Sequence, residues 1–381
     1  MEKKITRWWI AAGILGIVLI LFLAFYLTYG KMVVKSNKSK TNQNKTVIPT
    51  ATPTPDPLAP YSILLLGYGG GAHEGGTTTD TIMVAKIDPR NKEISLISIP
   101  RDLWVPIPIN GDETKSFKIN AAYPVGLSKE KQYQNKKVEF TGEAGGGELA
   151  KYVVEQVVGF KIDYFAAIDF DGFTKMIDIL GGIDIKVEKT FDDLFYPIEA
   201  NIDDPCGKTD EEMKSLEATM SGDKLEQQYT CRYEALHFDK GIQHMDGITA
   251  LKFARSRHSA TDGGDFNRAA RQRLVVTTVR DKIIRIGFIP KIIPTIQTLT
   301  RNLTTDINFM KMNELVSKAL EISSYKIIPI ALTDQNVLIN AKASTGQFIL
   351  SPKLGENQWE EIHNYIENKG ATTSATIKVQ N

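Results

Sequence analysis

The chain opens on an apolar block and then changes character twice. From Trp8 to Tyr29 no residue is charged, and Ile, Leu, Phe and Ala dominate. A bilayer core takes ~20 apolar residues as a helix, so the stretch predicts one membrane span. Trp8, Trp9, Tyr26 and Tyr29 stand at its ends, where amphipathic rings settle at the interface. A cleaved signal peptide would have a shorter apolar region and a small-residue cleavage site. Tyr29-Gly-Lys-Met32 fits that poorly, so a retained anchor is expected. Residues 30–60 read as a linker, rich in Lys, Asn, Ser and Thr and ending in Pro49-Thr-Ala-Thr-Pro-Thr-Pro-Asp-Pro57, a stiff spacer.

Beyond residue 60 short apolar runs alternate with helical periodicities. Tyr61–Gly67 predicts a buried strand, followed by a glycine-rich loop to Gly76. Asp80–Asp88 and Glu93–Ile99 read as strands around the turn Pro89-Arg-Asn-Lys92. A helix is predicted over Gly147–Val158, a strand over Asp163–Asp169, a helix over Phe170–Leu180 and a strand over Ile183–Val187. A polar insert spans about 192–228. Helices follow at Asp246–Ala254, Asp265–Ile286 and Met310–Ile322, then a strand at Tyr325–Ile330. This alternation predicts an α/β layered fold. The body runs over 61–330, and residues 331–381 form a C-terminal extension.

Two constellations carry chemistry. If Asp88 pairs with Glu93 across the turn, Asp80 falls opposite Arg101 at the open end of the hairpin. That pair is either a catalytic rim or a surface ion pair worth little to stability. On the helix beginning at Asp265, the residues Asp265, Arg268 and Gln272 share one face, and Val276, Val279, Ile283 and Ile286 continue it. A core-facing stripe that is polar for two turns should line a site or a tight network, because buried charge is costly unless paired. Arg255 and Arg257 just upstream add two forked donors suited to phosphate oxygens. A solvated basic face is the plainer alternative.

Charge narrows the partners. The formal net charge is +1, and no aromatic residues interleave with the arginines, which argues against nucleic acid. The glycine loop lacks the P-loop spacing and reads as a lid, a phosphate nest or a plain turn. His73 and Glu74 within it are conceivable metal ligands; His244 and His258 read as structural or surface positions. Lys3, Lys4 and Arg7 precede the span and Lys31, Lys35, Lys38, Lys40 and Lys45 follow it, so charge alone does not orient it. Cys206 and Cys231 suit a disulfide if the body lies outside the cell, and two buried thiols otherwise.

At these residues the chain resembles the LytR–CpsA–Psr (LCP) family of wall-polymer ligases. The matching segments are Ile63-Leu-Leu-Leu-Gly67, Thr79-Asp-Thr-Ile-Met83, Ser98-Ile-Pro-Arg-Asp102, Lys118-Ile-Asn120, Ile168-Asp-Phe170, Asp178-Ile-Leu-Gly-Gly-Ile-Asp184, Phe253-Ala-Arg-Ser-Arg-His258 and Asp265-Phe-Asn-Arg-Ala-Ala-Arg-Gln272. The resemblance implies a three-layer α-β-α domain with a central mixed sheet, on a single-pass anchor with residues 1–7 inside and the body outside the cytoplasmic membrane. That orientation favours the Cys206–Cys231 disulfide. It also implies Mg2+-dependent transfer of a polyprenyl-diphosphate-linked glycopolymer to peptidoglycan. Asp80 would then ligate the metal and is the candidate base. Arg255, Arg257 and Gln272 would grip the diphosphate, Arg101 would neutralise developing charge, and Asp265 and Arg268 would orient the arginines. Two positions depart from the family pattern: Tyr68 stands where an Asp is usual and Thr78 where an Arg is usual. A non-catalytic binding or regulatory ectodomain and a polyprenyl-diphosphate hydrolase are the rival readings.

Overall fold

The computed structural model describes residues 56–378, apart from 57, 72–75, 112 and 288. The predicted span Trp8–Tyr29, most of the linker, His73 and Glu74 lie outside the described residues. Among those described, no helix is long and apolar enough to cross a membrane.

A hairpin meander begins the sheet: β1 (Tyr61–Tyr68), β2 (Thr79–Asp88) and β3 (Glu93–Ser98). β2 and β3 pair antiparallel with Asp88 opposite Glu93, as the turn predicts. Asp88 accepts hydrogen bonds from the backbone of Arg90 and Asn91, which closes that turn. The hairpin β4 (Trp104–Asn110) and β5 (Glu113–Lys118) follows, then β6 (Tyr164–Asp169), which lies parallel to β1. Two further two-stranded sheets pair β7 (Ile183–Val187) with β10 (Gly241–Met245), and β8 (Phe191–Pro197) with β9 (Tyr233–Phe238). β11 (Leu303–Thr305) and β12 (Lys326–Ala331) close the two edges of the central sheet, whose order is β11-β6-β1-β2-β3-β12. A last hairpin joins β13 (Leu338–Lys342) and β14 (Phe348–Pro352). The central sheet is therefore mixed, within an α/β fold.

Period-two alternation explains its two faces. On β1, Ser62, Leu64 and Leu66 are buried, and Ile63, Leu65 and Gly67 are only half-buried. The buried face packs with Ile82, Val84, Phe165 and Ala167 against Leu149, Val153, Val154 and Val157 of the helix Gly145–Val158. That helix approaches closely because Gly147 lies under the Phe165 ring; a Cβ there would sit 2.2 Å from ring atoms. The other face meets Ile322 near one end and opens on a cavity elsewhere. Residues after 330 belong to the main core: Leu332, Val337, Leu338, Leu350, Ile362 and Ile366 pack into it. Leu350 also donates its N–H to the Asp102 carbonyl, 2.9 Å away, so the extension braces the turn beside Arg101.

A second core holds the other end of the cavity. Ile177, Ile183, Ile185, Phe191, Phe238, Phe253 and Val275 meet there. Asp169 caps the helix Phe170–Ile179 by accepting from Gly172 N–H at 2.7 Å, and Asp178 accepts from Gly247 N–H at 2.8 Å. Those two acidic positions of the family segments thus serve backbone geometry.

Candidate functional site

Asp80 owes its position to a break in the sheet. β1 and β2 stay in register until Gly67 meets Thr81, after which Tyr68 pairs with Thr79. Asp80 is the residue left over, and a bulge of this kind re-aims a side chain. Arg101 follows β3 through Ile99, whose N–H reaches Ile82 O at 3.0 Å. The two side chains meet: Arg101 Nη1 lies 2.5 Å from Asp80 Oδ1. Arg101 Nε is 3.4 Å from Asp265 Oδ2 and 3.7 Å from Asp102 Oδ2. Burial works against the Arg101 charge, but Asp265, Asp80 and Asp102 outweigh it and raise its pKa. Burial likewise opposes the Asp265 charge, and Arg268 and Arg101 overcome it, lowering that pKa.

Arg268 is the costly member. Its side chain is 8% exposed, its Nη1 is 3.5 Å from Asp265 Oδ1, and burial depresses its pKa. The Nε atoms of Arg101 and Arg268 are buried without a hydrogen bond. Arg101 Nε has the Asp265 carboxylate 3.4 Å away, whereas Arg268 Nε has no hydrogen-bond partner, and a buried guanidinium donor of that kind suits an anion brought in from outside.

The other arginines come from a braced turn. The helix Gly247–Arg255 ends at Arg255, and the helix Asp265–Arg285 begins after Gly264. Between them Asp193 of β8, 0% exposed, accepts from Ser256 Oγ (2.7 Å), Arg257 N–H (2.8 Å), His258 N–H (3.1 Å) and Phe195 N–H (3.0 Å). Burial opposes its charge, and these bonds outweigh burial to lower its pKa. From the far side Arg271 donates Nε to Phe253 O (3.0 Å), Nη1 to Asp262 Oδ2 (2.6 Å) and Nη2 to Ser256 O. The Arg255 guanidinium lies 4.3 Å from the Phe170 ring centroid and donates to Tyr196 Oη and Glu199 Oε1, both at 3.1 Å. Arg257 is more open, with Nη2 3.9 Å from Glu226 Oε1.

These groups border one cavity of about 1130 Å³. Asp80, Arg101, Arg255, Arg257, Arg268 and Gln272 all line it, together with Thr78. Apolar side chains line it too, Leu65, Ala166, Ile168, Phe173, Met176, Val275, Val276 and Val279, and so do the charged and polar Asp169, Asp193, Glu199, Glu226, Arg232 and His258. The middle of the stripe along the Asp265–Arg285 helix therefore faces a cavity, through Arg268, Gln272, Val276 and Val279, while Ile283 and Ile286 lie outside it. Asp265 does not line it; Asp265 borders a small side pocket and reaches the site through Arg101 and Arg268. Tyr68 turns away as well, its ring 5.3 Å from Tyr123 in the main core. Sequence reasoning missed Asp193, Tyr196, Glu199, Glu226 and Arg271. Arg271 stood within a matched segment, and the others lie in the stretch read as a polar insert.

The residues fit a magnesium ion only in a substrate-assisted way. Asp80 lines the cavity with Arg101, Thr78 and Thr81; Asp169 and Asp193 line it too but accept from backbone N–H groups, and Glu199 and Glu226 face arginines. Among the described residues, the sole cluster of three possible metal ligands is Asp204 with Cys206 and Cys231. Those cysteines are joined as a disulfide, with Cα atoms 5.7 Å apart. Magnesium usually takes one or two carboxylates and completes its shell with water and phosphate oxygens, and Asp80 meets that requirement.

The fold and the site define an α/β domain with one large cavity lined by arginines, carboxylates and apolar side chains. The chain belongs to the LytR_cpsA_psr family, whose model matches residues 23–361. TagV of Bacillus subtilis (strain 168), named a polyisoprenyl-teichoic acid–peptidoglycan teichoic acid transferase, is 27% identical over 282 residues, 74% of this chain and 58% of TagV. The chain thus spans less than two thirds of that relative's length. TagU of Enterococcus faecalis (strain ATCC 700802 / V583), named for the same activity, is 25% identical over 323 residues, 80% of this chain and 82% of TagU. The crystal structure of B. subtilis TagV superposes with a TM-score of 0.54 at 25% identity, covering 82% of this chain and 97% of that one.

Proposed function

We propose that this chain is a cell-wall polymer ligase: it transfers a glycopolymer from a polyprenyl diphosphate to peptidoglycan, from a body anchored outside the cytoplasmic membrane by residues 8–29. The observation that carries the reading is one cavity lined both by Arg101, Arg255, Arg257 and Arg268 and by apolar side chains, Phe173, Met176, Val276 and Val279 among them. A diphosphate head and an isoprenoid tail match those two parts. Membership of the family and the names of the relatives support the same reaction.

In this reaction Arg255, Arg257 and Gln272 bind the diphosphate oxygens. Arg268 and Arg101 supply fixed positive charge where the transition state gains negative charge, and such preorganised electrostatics dominate catalysis of phosphoryl transfer. Asp265 keeps both guanidinium groups in place. An acceptor hydroxyl of peptidoglycan forms the new O–P bond, the bridging P–O bond breaks, and polyprenyl phosphate leaves with its electron pair. Asp80, with the diphosphate, would hold Mg2+, which supplies charge neutralisation on the phosphate oxygens. Incubating the protein with a labelled polyprenyl-diphosphate-linked glycan and peptidoglycan tests the proposal. Label on peptidoglycan supports it. Tight binding without product points to a binding ectodomain, and soluble polymer phosphate points to a hydrolase.

A further inference from the structure

The transfer needs a group to take the proton of the acceptor hydroxyl. Asp80 is poorly placed for that task, because Arg101 holds its Oδ1 at 2.5 Å. The same cavity offers another candidate. His258 lines it, 15% exposed, beside Arg257 and Glu226.

The ring's surroundings fix its tautomer. Nδ1 lies 2.9 Å from the carbonyl oxygen of Phe195, which can only accept, so Nδ1 carries the hydrogen. Nε2 receives the Nε–H of Arg257 at 3.2 Å, so Nε2 holds the lone pair. Glu226 Oε2 stands 3.4 Å from Nε2. The other charged group facing the ring is Asp193, with Oδ1 3.9 Å from Nδ1 and committed to the turn. The Phe195 ring meets the imidazole edge-on, with centroids 6.4 Å apart. An imidazole with Nδ1–H held by a carbonyl, a lone pair at Nε2 that Arg257 covers and a carboxylate beside it has the parts of a general base once Arg257 is drawn away.

We propose that His258 is the general base of the transfer and that Glu226 stabilises the imidazolium it becomes; this rests on the ligase reading above. The acceptor O–H bond breaks and its proton passes to Nε2, while the oxygen's electron pair forms the bond to phosphorus. The bridging P–O bond breaks and its electron pair leaves on polyprenyl phosphate. Arg257 links binding to this step: turning its guanidinium to a phosphate oxygen uncovers Nε2.

The test measures steady-state transfer by the full chain in detergent across pH, for wild type, His258→Gln and Glu226→Gln. For His258→Gln the expected result is kcat lower by ~100-fold, the scale of general-base catalysis, with the donor KM within about threefold of wild type and the acid limb of the profile gone. For Glu226→Gln the acid limb should move to lower pH, because the imidazolium loses its partner. Wild-type kcat with an intact acid limb in His258→Gln would overturn the proposal. So would a loss seen only in donor KM, or an unmoved limb in Glu226→Gln. If His258→Gln loses its cooperative melt, the Glu226→Gln limb decides alone. Wild-type protein that transfers nothing would overturn the ligase reading along with the base, whereas wild-type transfer matched by His258→Gln removes only the base.

Discussion

Arg101 Nη1 sits 2.5 Å from Asp80 Oδ1, and the same guanidinium turns its Nε toward Asp265. The contact joins a bulge in one strand to the turn after the next, so the sheet itself sets it. Since Arg101 spans two carboxylates at once, its planar fork matters as well as its charge. Arg101→Ala should lower kcat by ~10²–10³, the range for losing one preorganised donor. Arg101→Lys should recover little of it. Transfer rates at saturating donor check this; a lysine variant near wild type would mean charge alone suffices.

Asp193 is expected to be an acid-sensitive brace. Its folded pKa lies below the ordinary 3.8. The stabilisation is therefore complete above the unfolded value and is lost as pH falls below it through the folded value. Asp193→Ala strands the Ser256 hydroxyl and three backbone N–H groups and should cost at least about 4 kcal/mol, at ~1–3 kcal/mol per unsatisfied group. Unfolding followed from about pH 5 down to about pH 2 should show a steeper acid loss in wild type than in Asp193→Asn. Parallel curves would remove Asp193 as a titrating brace.

Much of this site was legible because it obeys simple periodicities. The Asp88–Glu93 turn fixed the hairpin register, and register alone put Asp80 opposite Arg101. Of the helical stripe, Arg268, Gln272, Val276 and Val279 line the cavity, whereas Asp265 sits behind it and Ile283 and Ile286 lie beyond it. What stayed hidden has physical reasons. β8 hides because Asp193, a buried carboxylate, occupies an inward position where an apolar residue would complete the alternation. β4 hides because Pro106 and Pro108 argue against a strand, although a two-stranded hairpin tolerates them. The core role of residues after 330 depends on long-range packing that no local pattern announces.

The Cys206–Cys231 link closes a separation of 25 residues. In the chain-entropy model this stabilises by about 3 kcal/mol. Reduction, or Cys231→Ser, should lower the denaturation midpoint accordingly. Protein purified without reductant should show no thiol open to alkylation until it is reduced.

Magnesium should bind weakly to the protein alone and far more tightly once a polyprenyl diphosphate is present, because Asp80 supplies a single carboxylate and the diphosphate oxygens would complete the shell. Calorimetric titration with and without the lipid checks this. Tight binding to the lipid-free protein that survives Asp80→Asn would place the metal elsewhere.

Arg255→Ala and Arg257→Ala should each lower transfer at least about tenfold through lost charge-assisted contacts. Melting of Arg255→Ala should also shift, since that guanidinium joins Phe170, Tyr196 and Glu199. Wild-type turnover in both variants would return the pair to a solvated face.

The most direct test follows the phosphorus itself. A donor labelled at the polymer-side phosphate, and separately on the isoprenoid, is incubated with peptidoglycan and either wild type or Arg101→Ala. The expected result is phosphate label retained on peptidoglycan together with the polymer, isoprenoid label recovered as polyprenyl monophosphate, and both nearly absent with Arg101→Ala. Phosphate label released in soluble form, or a donor recovered intact from wild type, would contradict transfer to the wall.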